Sequence, residues 1–177
     1  MQSITNSKVY RLVITGMMIA LAFVLNRMVP ATTEYHITLD FVPIFIVGML
    51  FGPLWGALAA GISDTLGAIL IPFGAYNPGI TLSMMVMGLI FGLLFHKKKL
   101  EGVSLIVHVV AATVLNLIRN LFLTTLALWY VYGGGRTFWV YMGLRVPASI
   151  AISVVTLLLL PIVYKLVLKI IGHQAKQ

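Results

Sequence analysis

Apolar residues run along this chain in blocks, separated by short polar or Gly/Pro-rich punctuation. A helix rises 1.5 Å per residue, so about twenty apolar residues cross roughly 30 Å of hydrocarbon. The blocks predict a first helix from Val9 to Val29, a short second from Leu39 to Phe51, and a third from Pro53 to Ile71. A fourth ends at Phe95, a fifth runs from Gly102 to Tyr130, and a sixth starts at Phe138 and enters a basic tail. Between them lie the polar segment PATTEYHITLD, an FGP turn, the loop PFGAYNPG, the run HKKK and the link VYGGGRT, each rich in residues that end helices or form turns.

The polar positions inside the blocks are few and periodic. Gly52, Gly56, Ala60, Asp64 and Ala68 recur every four residues, and Gly61 and Gly67 widen the same strip. Small residues mark helix–helix contact in membranes, so Asp64 faces packed protein and reads as a structural acid. The fifth block carries Thr113, Asn116, Asn120 and Thr124 along one side with Arg119 one step off, and the sixth carries Arg145, Ser149, Ser153 and Thr156 on one face. Two facing polar stripes imply a wet or ligand-filled interior. Met84, Met85 and Met87 open the fourth helix, and thioether side chains suit an irregular wall. In the first helix Gly16 and Ala20 form a small-xxx-small pair that admits a close helix neighbour.

Composition turns this pattern into an all-α integral membrane protein, a compact bundle of six transmembrane helices in one domain over residues 1–177. Hydrophobic residues make up 60% and charged residues 9%, against roughly 45–50% and 25% in soluble proteins. A net charge of +8 would suit nucleic acid, but all seven lysines fall where an even helix count puts the cytoplasm. That is the positive-inside pattern: N- and C-termini cytoplasmic, lipid bilayer as partner, no nucleic acid. The basic start reads as a retained first helix because its apolar run carries Asn26 and Arg27. Cysteine is absent, and no metal-ligand cluster, G-x-S-x-G or pair of intramembrane aspartates is present. The reading is therefore not an enzyme, with no metal and no cofactor.

The intramembrane charges supply the chemistry. Asp64, Arg119 and Arg145 each lie within about eight to eleven residues of the external helix ends, in the outer half of the bilayer or near its midplane, and Arg27 lies further out. Three arginines exceed Asp64, even with Asp40 added from the top of the second helix. Buried guanidinium groups call for an anionic partner and match carboxylates bidentately. The expectation is a pocket open to the outside that prefers a small acid, with Tyr76 stacking over it. Trp129, Tyr130, Trp139 and Tyr141 stand at helix ends as interfacial anchors. Tyr35 and His36 sit in the first external loop, where a lone histidine is ordinarily solvated. An independent small-solute facilitator and an intramembrane enzyme are the readings from other classes.

The stretch LFGPLWGALAAGISDTLGAILIPFGAYNPGITLS, with its LFGP, Gly-rich helix, D-x-L-G, P-x-G loop and PG-x-TLS helix start, resembles the folate-type S components of energy-coupling-factor (ECF) vitamin transporters. The Asn-bearing fifth helix and the LRVP of the sixth are similar as well. The resemblance implies a membrane-embedded binding subunit that captures folate, or another anionic vitamin such as pantothenate, from outside a prokaryotic plasma membrane. Its partners would be a transmembrane scaffold subunit and two cytoplasmic ATPase subunits. The family's A-x-x-x-A docking motif maps to Gly16 and Ala20, with glycine in place of the first alanine. With folate as ligand, Arg27, Arg145 and third Arg119 would hold the carboxylates and Tyr76 with Asn77, Asn116 or Asn120 would meet the ring; Ser83 completes the expected substrate-binding set.

Overall fold

The computed structural model describes residues 8–27, 38–72, 74–132, 134–135 and 137–174. These form six helices: α1 Lys8–Arg27, α2 Phe41–Phe51, α3 Pro53–Leu70, α4 Pro78–Phe95, α5 Gly102–Tyr132 and α6 Phe138–Gln174. No strand occurs among the described residues. Five helices are long and apolar enough to cross a membrane, and α2, at 11 residues, is not. The boundaries fall within two residues of the hydrophobic blocks, apart from the tail of α6. Met28, Val29, Tyr35 and His36 lie outside the described residues.

Glycine dictates how α2, α3 and α4 meet. Gly52, at φ 102°, turns the chain between α2 and α3 in a conformation that L side chains rarely adopt. Pro53 follows at the start of α3, where its missing N–H has no helical acceptor to lose. A methyl group on Gly88 would run into the Gly56 carbonyl, one on Gly92 into Pro53, and one on Gly48 would come within 3.0 Å of the Gly92 nitrogen. The three helices therefore touch backbone to backbone, the small-residue packing that membrane helices favour.

Aromatics fill the end of the bundle that carries the lysine run. Phe45 is fully buried and meets Phe91 and Phe95 edge-on, with centroids 5.5 and 4.9 Å away. Tyr164, also fully buried, donates to the Lys98 carbonyl and accepts from the Leu100 N–H, both at 2.8 Å. One phenol thus pins the α4–α5 connection onto α6. This end is closed; the opposite end is hollow.

The helices around the hollow are the irregular ones. α5 passes through a π-helical turn, Asn120–Thr124, before resuming over Thr125–Tyr132. α6 keeps Pro147 and Pro161 inside its length, and each leaves a carbonyl four residues earlier without its helical donor. Tyr141 is 2% exposed, so it packs inside and is not an interfacial anchor. Tyr130 and Trp139 are exposed, as anchors require.

Candidate functional site

The hollow end encloses a cavity of about 240 Å³. Its floor is Met84, Met87 and Phe91, continuous with the aromatic core below. One wall comes from the end of α1, the start of α2 and the middle of α3; the other comes from α5 and α6. The loop 74–77 and the start of α4 reach over the top.

The first wall carries the acids. Asp40 precedes α2 but makes no capping bond. Its carboxylate instead accepts from Asn26 Nδ2 at 2.7 Å and from Thr38 Oγ1 at 2.6 Å. Asp64 accepts from Thr81 Oγ1 at 2.6 Å, and that hydroxyl lies 3.2 Å from the Tyr76 phenol. Asp64 thus links α3 to α4 through Thr81 and also faces the cavity. Arg27, half-buried at the end of α1, lies across Gly67 on the same wall.

The second wall carries two arginines, Arg119 and Arg145. Arg119 donates from Nε to Asn116 Oδ1 at 3.2 Å and from one terminal nitrogen to Ser83 Oγ at 2.8 Å and Ser83 O at 3.2 Å. Ser83 and Thr124 share a hydroxyl–hydroxyl bond of 2.7 Å beside it. Arg145, 8% exposed, reaches Asn120 Oδ1 at 3.4 Å. Arg119 and Arg145 both face the cavity, and an anion between them would add charge-assisted hydrogen bonds.

The π turn shapes this wall. Along an uninterrupted α-helix Tyr132 would stand about 100° around the axis from Thr113. One extra residue in a turn resets the phase by about that amount. Thr113, Asn116, Asn120, Thr124, Leu128 and Tyr132 consequently all line the cavity.

Of the substrate-binding residues expected from sequence, Arg27, Tyr76, Asn77, Asn116, Arg119, Asn120 and Arg145 line one cavity. Ser83 stands behind the wall, buried, and braces Arg119. Asn77 has a structural task in addition: its Oδ1 accepts from Gly79 N at 3.0 Å to cap α4, and its Nδ2 donates to the Ala127 carbonyl at 2.6 Å. The cluster of Asn26, Thr38 and Asp40 was not anticipated as a wall. The sequence offers Asp40 only as added negative charge at the top of the second helix, and the fold brings Asn26 and Thr38 to it. Ser149 was noticed as part of a stripe. It is 1% exposed, lines the cavity, and its Oγ has no hydrogen-bond partner among the described residues. Gly16 and Ala20 lie exposed on α1, with nothing within 4 Å of a methyl group placed on Gly16.

Known proteins share sequence and fold with this chain. The family described as ECF transporter, substrate-specific component, matches residues 10–164. The folate transporter FolT of Clostridium novyi (strain NT) is 37% identical over 115 residues, which are 64% of this chain and 67% of that protein. Among solved structures, FolT bound with folic acid superposes with a TM-score of 0.74 at 28% identity, covering 83% of this chain and 87% of the other. The S component of a bacterial ECF transporter superposes with a TM-score of 0.70 over 97% of this chain and all of the other; at 22% identity that likeness speaks for the fold. A family match spanning nearly the whole bundle, cavity walls included, makes this chain a membrane-embedded, substrate-specific component of an ECF transporter, a transport subunit and not an enzyme.

Proposed function

We propose that this subunit captures folate from outside the cell and hands it to an ATP-driven ECF transporter. The observation that carries the reading is the cavity itself: closed toward the lysine-bearing end by Phe45, Phe91 and Tyr164, and lined by Arg27, Arg119 and Arg145. Folate is a flat pterin and aryl unit ending in two carboxylates, and arginine-rich walls with Tyr76 and the Asn116 and Asn120 amides suit both parts. The relative whose structure holds folic acid shares this architecture.

The lysine-bearing end faces the cytoplasm, which puts both termini there and opens the cavity outward across a prokaryotic plasma membrane. Residues 1–177 act as a single binding domain. The exposed Gly16–Ala20 face of α1 docks a transmembrane scaffold subunit, and two cytoplasmic ATPases drive release. Leucine at either position should leave folate binding by the solitary subunit intact while abolishing co-purification of the scaffold. Loss of ligand binding instead would assign that face to the subunit's own core.

Gentle purification followed by mass spectrometry of the retained ligand tests the substrate. Stoichiometric folate is expected; another acid such as pantothenate in its place would overturn the choice of vitamin while leaving the architecture standing. Reconstitution of the chain alone should give binding without sustained flux. Flux without ATP would identify a facilitator.

A further inference from the structure

The D-x-L-G segment acquires a physical meaning from one close approach. A Cβ built on Gly67 would stand 2.7 Å from Arg27 Nε and 2.9 Å from Cζ, and closer still to a terminal nitrogen. The guanidinium therefore turns its Nε–terminal-nitrogen edge toward bare α3 backbone, in space that any other residue would fill. Asp64 is three residues earlier, one turn along the same face, and its charge is the foremost carboxylate influence on Arg27, followed by Asp40. Both Asp64 and Arg27 line the cavity, whereas Gly67 is buried beneath the guanidinium.

We propose that Asp64 and Gly67 form one seat for Arg27, the acid supplying counter-charge and the glycine supplying room, so that Gly67 is a positioning residue for ligand recognition. The arginine's long side chain has many rotamers, and a planar head held against backbone loses fewer degrees of freedom per hydrogen bond it forms. The seat fixes the head in the cavity wall before ligand arrives. It also ties the end of α1 to α3, because Arg27 is the last residue of α1. Its binding consequence rests on reading the cavity as the folate site; the seat itself does not.

A double-mutant cycle on the purified full chain separates the two. Folic acid affinity is measured by titration calorimetry, and the unliganded unfolding temperature is measured alongside it, for the original chain, Gly67→Ala, Arg27→Ala and both together. The obstructing methyl meets the end of a flexible side chain, so Gly67→Ala is expected to fold with Arg27 displaced. It should weaken folic acid binding about tenfold, the scale of a lost hydrogen bond to a charged group. With Arg27 already removed, the same change should alter affinity less than about twofold, since neighbouring residues that act together are non-additive. It should then raise the unfolding temperature by about 2–4 °C, the ordinary gain of alanine over glycine inside a helix.

Equal losses of affinity in both backgrounds would show that Gly67 acts through helix packing and would overturn the proposal. So would an unchanged affinity in the single variant, or the same temperature shift with and without Arg27. If the original chain bound no folic acid, the folate reading would fail, while the temperature arm, which needs no ligand, would still decide whether the seat exists.

Discussion

The contact of α3 with α4 and the contact of α5 with α6 are built on opposite principles. α3 and α4 meet where glycine lies on glycine, with Gly88 against the Gly56 carbonyl and Gly92 against Pro53. α5 and α6 face one another across a hollow through Arg119, Asn120, Arg145 and Ser149. On the hollow side the hydroxyls largely turn back on their own helices: Thr113 donates to Val109 O at 2.9 Å, Ser153 to Ser149 O and Thr156 to Ile152 O, both at 2.7 Å. The π turn and Pro147, between the cavity-lining Arg145 and Ala148, also fall on this side. Shape fixes the first contact, and it leaves no adjustable part. The second keeps charge and irregular backbone available for a ligand, and irregular backbone at membrane depth is tolerated where it lines a cavity.

The contrast breaks most readily at the seam. Gly88→Leu has nowhere to put its side chain and is expected to yield no folded protein at all, read as loss of a monodisperse peak after detergent extraction; overpacking against backbone exceeds the ~1–3 kcal/mol of ordinary core insertions. A folded Gly88→Leu variant that binds ligand normally would show the seam to be plastic. Next in size is Phe45→Ala, which empties the centre of the aromatic core. A loss of about 3–5 kcal/mol in unfolding free energy is expected, with the ligand affinity of the surviving folded fraction changed little. A large change in affinity would mean that the closed end and the cavity are not separate regions.

Much of the scaffold was legible because membrane helices write themselves in runs of apolar residues, and four-residue spacing puts small residues on one face. Asp64 among Gly56, Ala60 and Ala68 could be placed on a packed strip from spacing alone. The convergence of Arg27, Arg119 and Arg145 was legible from their depth. What stayed hidden depends on long-range geometry. The π turn at NLFLT contains neither glycine nor proline to announce it. The placement of Arg27 on Gly67 joins positions forty residues apart. Asn77 reads equally well as a loop amide or a cap, and only the helix that begins at Pro78 shows its capping bond. Tyr141 belonged by position to the interfacial aromatics, and its burial follows from facing the same side as Arg145, one turn on.

A sharper test divides the two arginines of the second wall. Arg119 joins α4 to α5 through Ser83, Asn116 and Thr124, whereas Arg145 on α6 reaches Asn120 Oδ1 at 3.4 Å. Arg145→Ala is expected to weaken folate binding by roughly 1.5–3 kcal/mol and to lower the unliganded unfolding temperature less than Arg119→Ala does. Arg119→Ala should lower both, because it strips a brace from the helix contact as well as a charge from the site. Titration calorimetry and thermal unfolding of the two variants, side by side, check the distinction. Equal effects on unliganded stability would make both arginines framework groups and leave Arg27 to read the ligand's charge.

The smallest expected effect probes the hollow wall most finely. Every other hydroxyl highlighted on that wall bonds to a carbonyl or a neighbouring hydroxyl, whereas Ser149 Oγ has no hydrogen-bond partner among the described residues at 1% exposure. Such a group costs about 1–3 kcal/mol when left unsatisfied, so Ser149→Ala should raise the unliganded stability, by about 1 kcal/mol. The same hydroxyl stands one turn from Arg145, and serine's single side-chain torsion lets it swing toward an acceptor brought in by the ligand. If it does so, Ser149→Ala lowers folate affinity while raising unliganded stability, a pair of opposite signs that lost packing cannot produce. A variant that gains stability and keeps its affinity would mark Ser149 as a strain the wall carries without using it, and the wall's recognition would then lie in its arginines and amides alone.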